Sequence, residues 1–528
     1  MGVKGPQWLS ETVFYEIYPQ SFYDTNGDGI GDLEGIIQKL DYVKGLGCNA
    51  IWINPCFDSP FMDAGYDVRD YKKIAPRYGT NADAGRLFAE AHQRDMRVIL
   101  DLVPGHTSDT HEWFQKSRLH EKNEYSDRYI WTKDGWDRPS GFPYVCGKSQ
   151  RSGCYLLNFF DSQPSLNYGF EKITADWQLP YTHPACQATF DAMLDVMRFW
   201  LDLGCDGFRV DMADSLVKND NAKDATASFW RKARRLVDEE YPEAVLVSEW
   251  SNPPNAILKG GFHCDFYLNH PWNEGNGYYH LARNTDRKTG QQRSYFSKWG
   301  SIGGGSIARF LYEYGIWLEA TKDRGYISFL TCNHDTPRIA ASFDELEIKI
   351  FYSFLFTMPG VPFLYYGDEI GMTYQKDLVN VEGGLDRTGT RTPMQWNSGK
   401  NLGFSTAEPD ALYLPVDARE HAPTVEAQLG KEGSLLEFTR ELIALRRKYQ
   451  DLGADGDFKV LYRENNGYPF VYGRGALICA VNPSLDELSA PVGAGRCLFS
   501  VRGARAQDGR IFMPYQSFAI FEKEEVSQ

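Results

Sequence analysis

RVILDLV, residues 97–103, is an apolar run of strand length that leads straight into the polar turn PGH at 104–106. Runs of this kind are strands buried on both faces, the form that parallel sheets favour. The same pattern repeats outward from it. Strand-like segments at 12–22 and 48–54 precede it, and others follow at 206–212, 244–250, 265–269, 326–332 and 361–366. Helical periodicity fills the gaps. A helix is predicted over 33–46, with Ile36, Ile37, Leu40 and Val43 on one face, and others near 84–94, 190–203 and 228–240. Eight strands alternating with helices predict an α/β fold, a (β/α)₈ TIM barrel.

The rhythm breaks twice. Residues 106–186 are rich in Gly, Ser, Asp and aromatics with no long helix, which predicts an insertion domain after strand three. After strand eight, residues 371–431 form an irregular stretch too long for an idle loop. A last helix over 435–449 gives way to short alternating segments at 458–462, 470–472 and 477–481, which predict a C-terminal antiparallel β-sandwich. The expected division is therefore a barrel over 1–105 and 187–452, an insertion over 106–186 and a sandwich over 453–528. A chain of 528 residues is long enough to need this division.

Composition narrows the partners. Asp and Glu number 71 against 56 Lys and Arg, a net charge of −15 that argues against nucleic acid and anionic membranes. No run of 18 apolar residues occurs, so no membrane span is expected, and the first residues lack the apolar core of a secretory signal. Of the ten cysteines most fall in core segments, and only Cys146 and Cys154 resemble a loop pair. The expectation is a reducing, cytoplasmic location. Aromatic residues reach 14%, which suits stacking on sugar rings, although most of these rings will be core.

Chemistry gathers at the strand ends. Asp101 and His106 follow strand three, Arg209 and Asp211 sit on strand four, Glu249 on strand five, and His334 with Asp335 after strand seven. Any one of these is more simply a solvated loop end. Four strands that bring carboxylates, Arg and His to one rim are not, because barrel enzymes place their catalytic groups there. Glycoside hydrolysis needs one carboxylate below the anomeric carbon and a protonated carboxyl at the leaving oxygen. Arg209, two residues from Asp211 and so on its strand face, would keep that carboxylate ionised.

DLVPGH (101–106), GFRVD (207–211), SE (248–249) and NHD (333–335) resemble, in order, the four short regions of the α-amylase family, glycoside hydrolase family 13. The resemblance runs over essentially the whole chain. It implies that Asp211 is nucleophile, Glu249 general acid/base and Asp335 the carboxylate that stabilises the transition state. Arg209, His106 and His334 would line subsite −1, and Tyr66 of GYD would stack under its glucose. Asp63 stands where exo-acting members bind the non-reducing end, with Arg391 of RTPMQW its expected partner. QPSLN (163–167) is similar to the QPDLN of the branch that holds oligo-1,6-glucosidases, α-glucosidases and trehalose synthases; Ser165 replaces its Asp. Met212, after the nucleophile, is expected to border subsite +1 or else to fill core behind the strand.

DTNGDGIGD (24–32) alternates oxygen donors with glycines, as a Ca²⁺ loop does. Asp24, Asn26, Asp28, the Ile30 carbonyl and Asp32 are the candidate ligands; a solvated acidic turn is the alternative. The resemblance supports Ca²⁺, since that branch carries one in this loop. Gly105 replaces the family's usual Asn ligand of a different Ca²⁺, so no metal is expected there. The expected activity is that of a retaining, exo-acting α-glucosidase on short α-linked gluco-oligosaccharides. A glucosyl transferase or trehalose synthase-like isomerase would use the same covalent intermediate. A catalytically dead transporter partner is disfavoured, because all three carboxylates are kept and no membrane anchor is seen.

Overall fold

The computed structural model describes residues 4–270, 275–285, 289–290, 292–464 and 467–524. Eight parallel strands form one sheet: β1 Phe14–Ile17, β2 Ala50–Ile53, β3 Arg97–Leu102, β4 Gly207–Val210, β5 Val245–Ser248, β6 Cys264–Phe266, β7 Tyr326–Ser328 and β8 Phe363–Tyr365. From β1 to β7 each strand pairs with the next, and β1 pairs with β8 through Phe14 and Phe363. A bridge from Leu330 to Phe363 joins the chain after β7 to β8 and closes the barrel. Its interior is packed by Phe14, Trp52, Ile99, Val247, Phe266 and Phe363, with Phe14 and Phe363 stacked at 4.4 Å. The barrel is therefore solid, and a ligand must enter from one end.

The sequence places every strand, and the observed strands are shorter. Residues 12–22 show why: Pro19 lacks an N–H for the ladder, and Pro19–Ser21 turn as a 3₁₀ helix. The helix expected over 33–46 is two, Leu33–Gln38 and Leu40–Leu46, because Lys39 leaves helical geometry (φ −104°, ψ 4°). Its ammonium lies over the rings of Tyr23 and Trp396, at 4.0 and 4.2 Å.

After β3 the chain forms the helix Glu112–Ser117 and a hairpin of Tyr144–Cys146 with Cys154–Leu156, which a Cys146–Cys154 disulfide joins. Bridges from His106 to Ser165 and from Tyr129 to Leu166 fold this segment back over the end of β3. The stretch after β8 packs on the loop that follows β1. Trp396 donates to the Phe22 carbonyl, and Ser405 donates to Asp24. At the C-terminus a five-stranded and a three-stranded antiparallel sheet share a core of Val471, Ile478, Ala519, Ile511 and Met513, which makes a sandwich.

Candidate active site

Strand alternation turns Arg209 toward the barrel axis at the carboxyl end of β4. It is 1% exposed and meets three carboxylates. Its Nη1 donates to Asp101 Oδ1 at 2.8 Å and to Asp211 Oδ1 at 2.9 Å, and its Nη2 lies 2.8 Å from Glu249 Oε2. Backbone bonds fix the carriers: the Asp211 N–H to the Leu102 carbonyl, and the Glu249 N–H to Val210. Met212 then takes a left-handed turn (φ 41°) that aims its N–H at Glu249 Oε2, 3.0 Å away. A non-glycine residue holds that geometry only where its surroundings impose it.

One cation among three buried carboxylates is an unequal balance. Burial pushes Asp101 and Asp211 up to about 6 and Glu249 up to about 7, although Arg209 pulls each down. Arg209 therefore favours the ionised form of Asp211, as the sequence predicts, but against a larger effect of burial, and Asp211 is ionised at neutral pH. Glu249 retains a substantial protonated fraction there.

On the opposite side His334 donates Nδ1–H to Glu16, 2.8 Å away, while its Nε2 lies 2.6 Å from the Tyr66 hydroxyl and 3.3 Å from Asp335. Tyr66 in turn donates to Asp101 Oδ2 at 3.0 Å. Burial opposes a charge on His334, but Asp335 and Glu16 raise it to about 9, so it is an imidazolium at neutral pH. Burial alone would raise Asp335. The charges of His334, Arg387 and Arg391 overcome this and hold it well below the usual carboxylate range.

His106 sits between the Tyr66 carbonyl and the amide of Asn158, each at 3.1 Å, and burial lowers it to about 4. It is thus neutral, an Nε2–H donor. Asn158 also fills the space beside Gly105: a Cβ there would stand 2.7 Å from its amide nitrogen. Lys218 donates to the Asn158 oxygen at 3.1 Å.

Asp63 is buried, and the structure corrects its expected partner. Arg387 reaches Asp63 at 3.3 Å and Asp335 at 3.0 Å. Arg391 instead donates to Asp335 at 2.8 Å and to the His334 carbonyl at 2.9 Å. The motif around Arg391 drew attention to the wrong one of two arginines four residues apart, joined here by the 3₁₀ turn Leu385–Thr390. Gln163 of QPSLN donates to the other oxygen of Asp63. Glu16 was missed too; its one signal was a lone charge inside FYEIYP. Met212 does not fill core behind the strand. It is half-buried, with its sulfur 3.8 Å from the Asn158 amide.

The acidic loop folds around glycines: Gly27 and Gly29 are left-handed, at φ 79° and 90°. Asp24 accepts from the N–H groups of Asn26, Gly27 and Gly29, Asn26 from Asp28, and Asp28 from Ile30. Asp32 caps the helix Leu33–Gln38. Among the described residues no three His, Cys, Asp or Glu side chains cluster closely enough to hold a metal. The hard-oxygen donors fit Ca²⁺ in kind, and they are engaged by their own loop.

Residues 16–455 match the α-amylase catalytic domain family. The chain is 35% identical to the trehalose synthase/amylase TreS of Mycolicibacterium smegmatis, over 87% of this chain and 79% of that one. It is 32% identical to the oligo-1,6-glucosidase of Heyndrickxia coagulans, over 92% and 93%. Among solved structures it is similar to an isomaltulose synthase variant of Erwinia rhapontici NX5 in complex with its natural substrate sucrose. That likeness has a TM-score of 0.79 and 26% identity, covering 98% of this chain and 99% of that one.

Proposed function

This chain belongs to the α-amylase family and is a glycoside hydrolase; from that premise we propose that it is a retaining, exo-acting α-glucosidase on short α-linked gluco-oligosaccharides. Asp211 is the nucleophile, Glu249 the general acid/base and Asp335 the carboxylate that holds sugar hydroxyls as charge develops. One observation carries the reading: a single guanidinium, that of Arg209, bridges Asp211 and Glu249. Carboxyls so spanned suit the retaining route, which needs a separation of roughly 5–5.5 Å. In the first step the Asp211 oxygen bonds to the anomeric carbon as the glycosidic bond breaks. Glu249 gives its proton to the departing oxygen, then takes one from an incoming hydroxyl as that oxygen bonds to the anomeric carbon and the bond to Asp211 breaks, which restores the carboxylate. Arg209, Tyr66, His106 and His334 surround the bound ring.

Exo-action is supported by Arg387, which ties Asp63 to Asp335. A second reading, transfer of the glucosyl unit to a sugar hydroxyl as in an isomerase, is supported by the trehalose synthase relative. Product analysis on α-linked disaccharides and maltooligosaccharides decides. Single α-configured glucose units support hydrolysis, rearranged disaccharides support isomerisation, and internal fragments of long chains overturn the exo reading.

We also propose Ca²⁺ on Asp24, Asn26, Asp28, the Ile30 carbonyl and Asp32, acting on stability. The loop carries none of the reacting groups, and Ser405 and the Phe404 carbonyl brace it against the stretch after β8. A chelator should lower the melting temperature by several degrees and leave low-temperature activity intact; no shift and no bound metal would end the proposal. A cytoplasmic location is proposed on the eight free cysteines, seven of them buried. The hairpin disulfide is the feature that counts against it. No helix among the described residues is long and apolar enough to cross a membrane.

A further inference from the structure

The wall that carries Arg387 is fastened at a point outside the pocket. Arg77, on the loop before the helix Asn81–His92, pairs with both oxygens of Glu382: Nη1 to Oε1 at 2.7 Å and Nη2 to Oε2 at 2.9 Å. The two side chains are only 16% and 17% exposed. The guanidinium also lies over Phe61, its central carbon 3.1 Å from the ring centre. Phe61 precedes Asp63 by two residues, and Glu382 precedes Arg387 by five. One planar pair therefore joins the segment of Asp63 to the segment of Arg387.

The joint is tight. Gly383, next to Glu382, is left-handed at φ 67°, and a Cβ there would stand 2.5 Å from the Met62 carbonyl oxygen. Its own carbonyl accepts from Arg387 Nη2 at 2.9 Å. A second route leads inward. Tyr413, whose ring lies near Arg77, shares a hydrogen bond with Tyr18, and Arg391 donates to the Tyr18 hydroxyl on its way to Asp335. Arg387 is thus joined to the pair through its own loop, and Arg391 more loosely, through Tyr18 and Tyr413. Bidentate Arg–carboxylate geometry sets direction as well as distance, which a lysine would not.

We propose that the Arg77–Glu382 pair is a latch that fixes the depth of the glucose pocket, and that these two are positioning residues acting through Arg387 on Asp63 and Asp335. The proposal rests on the exo-glucosidase reading above. With the latch closed, the wall meets the hydroxyls of one terminal glucose. With it open, Arg387 loses its register, and a single sugar unit is bound less well than the chemistry would allow.

Glu382→Gln removes the charge with little change of shape. It is expected to raise KM for a short aryl α-glucoside, and the inhibition constant of free glucose, each about tenfold. Its kcat should fall less than threefold, and the melting temperature should drop by a few degrees, because Arg77 is left largely buried without its counter-charge. Arg77→Gln should match it, and the double variant should be no worse than either, because one interaction is lost only once. Gly383→Ala, which lifts the same loop without touching a charge, should show the same rise and serves if the charge variants fold poorly. Glucose inhibition unchanged in Glu382→Gln and Gly383→Ala overturns the latch, as does a loss confined to melting temperature. Wild-type product analysis, run alongside, separates this from failure of the exo reading: internal fragments overturn that reading, whereas single-glucose release with unaltered variants overturns only the latch.

Discussion

Two buried arginines lie within the same barrel and serve opposite ends. Arg338 faces one carboxylate, Asp368, at 3.0 Å, and its Nη1 also donates to the Tyr366 carbonyl. Thr331 donates to the second oxygen of Asp368, and the rings of Tyr365 and Tyr366 lie under the guanidinium at 4.6 and 4.8 Å. Charge there is balanced, one against one. Arg209 faces three carboxylates, so its cluster carries an excess of negative charge in a place shielded from water. A balanced pair is finished when the chain folds. An unbalanced cluster is finished only when something positive arrives, and the oxocarbenium-like sugar of the transition state supplies that charge.

The comparison breaks most sharply on the nucleophile. Asp211→Asn should cost on the order of 10⁴-fold or more in kcat, measured on protein purified free of host glucosidase. Asp368→Asn should keep kcat near the wild-type value while losing about 3 kcal/mol of stability, because Arg338 is left buried without its counter-charge. The two variants should also move oppositely in melting experiments. Burial raises Asp211 in the folded protein, so its favourable contribution is present at low pH and is lost as pH rises through about 6. At pH 8 the Asp211→Asn protein should therefore be more stable than wild type, by about 1–3 kcal/mol. A lower melting temperature for Asp211→Asn would remove the distinction between the two clusters.

Glu249→Gln comes next. Turnover of sugars with poor leaving groups should fall by about 10²–10⁴-fold, whereas an aryl glucoside with an acidic leaving group should still charge the enzyme. Mass spectrometry should then find the covalent glucosyl-enzyme, and its absence would argue against this division of roles. In the wild type, kcat/KM should be bell-shaped. It falls below about 6 as Asp211 takes a proton and above about 7 as Glu249 loses one. The apparent values belong to the pair. A profile flat from pH 5 to 8 would contradict the assignment.

The smallest effect is expected at Met212. Met212→Ala should shift the ratio of α-1,6 to α-1,4 activity by roughly 1–3 kcal/mol. Valine is the poorer probe, since a β-branched residue at φ 41° adds backbone strain to any change in specificity. An unchanged ratio in Met212→Ala would place the side chain outside the acceptor region.

The barrel and the rim were legible in the sequence because each depends on neighbours in the chain. RVILDLV is buried on both faces wherever it lies, and Arg209 and Asp211 share a strand face by alternation alone. Partnerships across hundreds of residues left no such trace. Arg387 and Arg391 are equally plausible partners for Asp63 on paper, and only the 3₁₀ turn between them decides which arginine points where. Glu16 reads as a fault in an apolar strand until His334 arrives beside it from β7. Asn158 occupies the space a side chain at Gly105 would fill, and Lys218, from another segment, holds its oxygen.

Closure of the barrel between β1 and β8 also bears on how the protein is made. Tyr15 hydrogen-bonds to Glu369, 354 residues further along the chain. At roughly 5–20 residues per second of synthesis, the first strand waits tens of seconds for its last neighbour. Through that interval one edge of an apolar sheet is unpaired, and the arginines of the pocket wall have not yet been made. Chaperone demand during translation, rather than the stability of the finished barrel, is where a weakened first strand would first be felt.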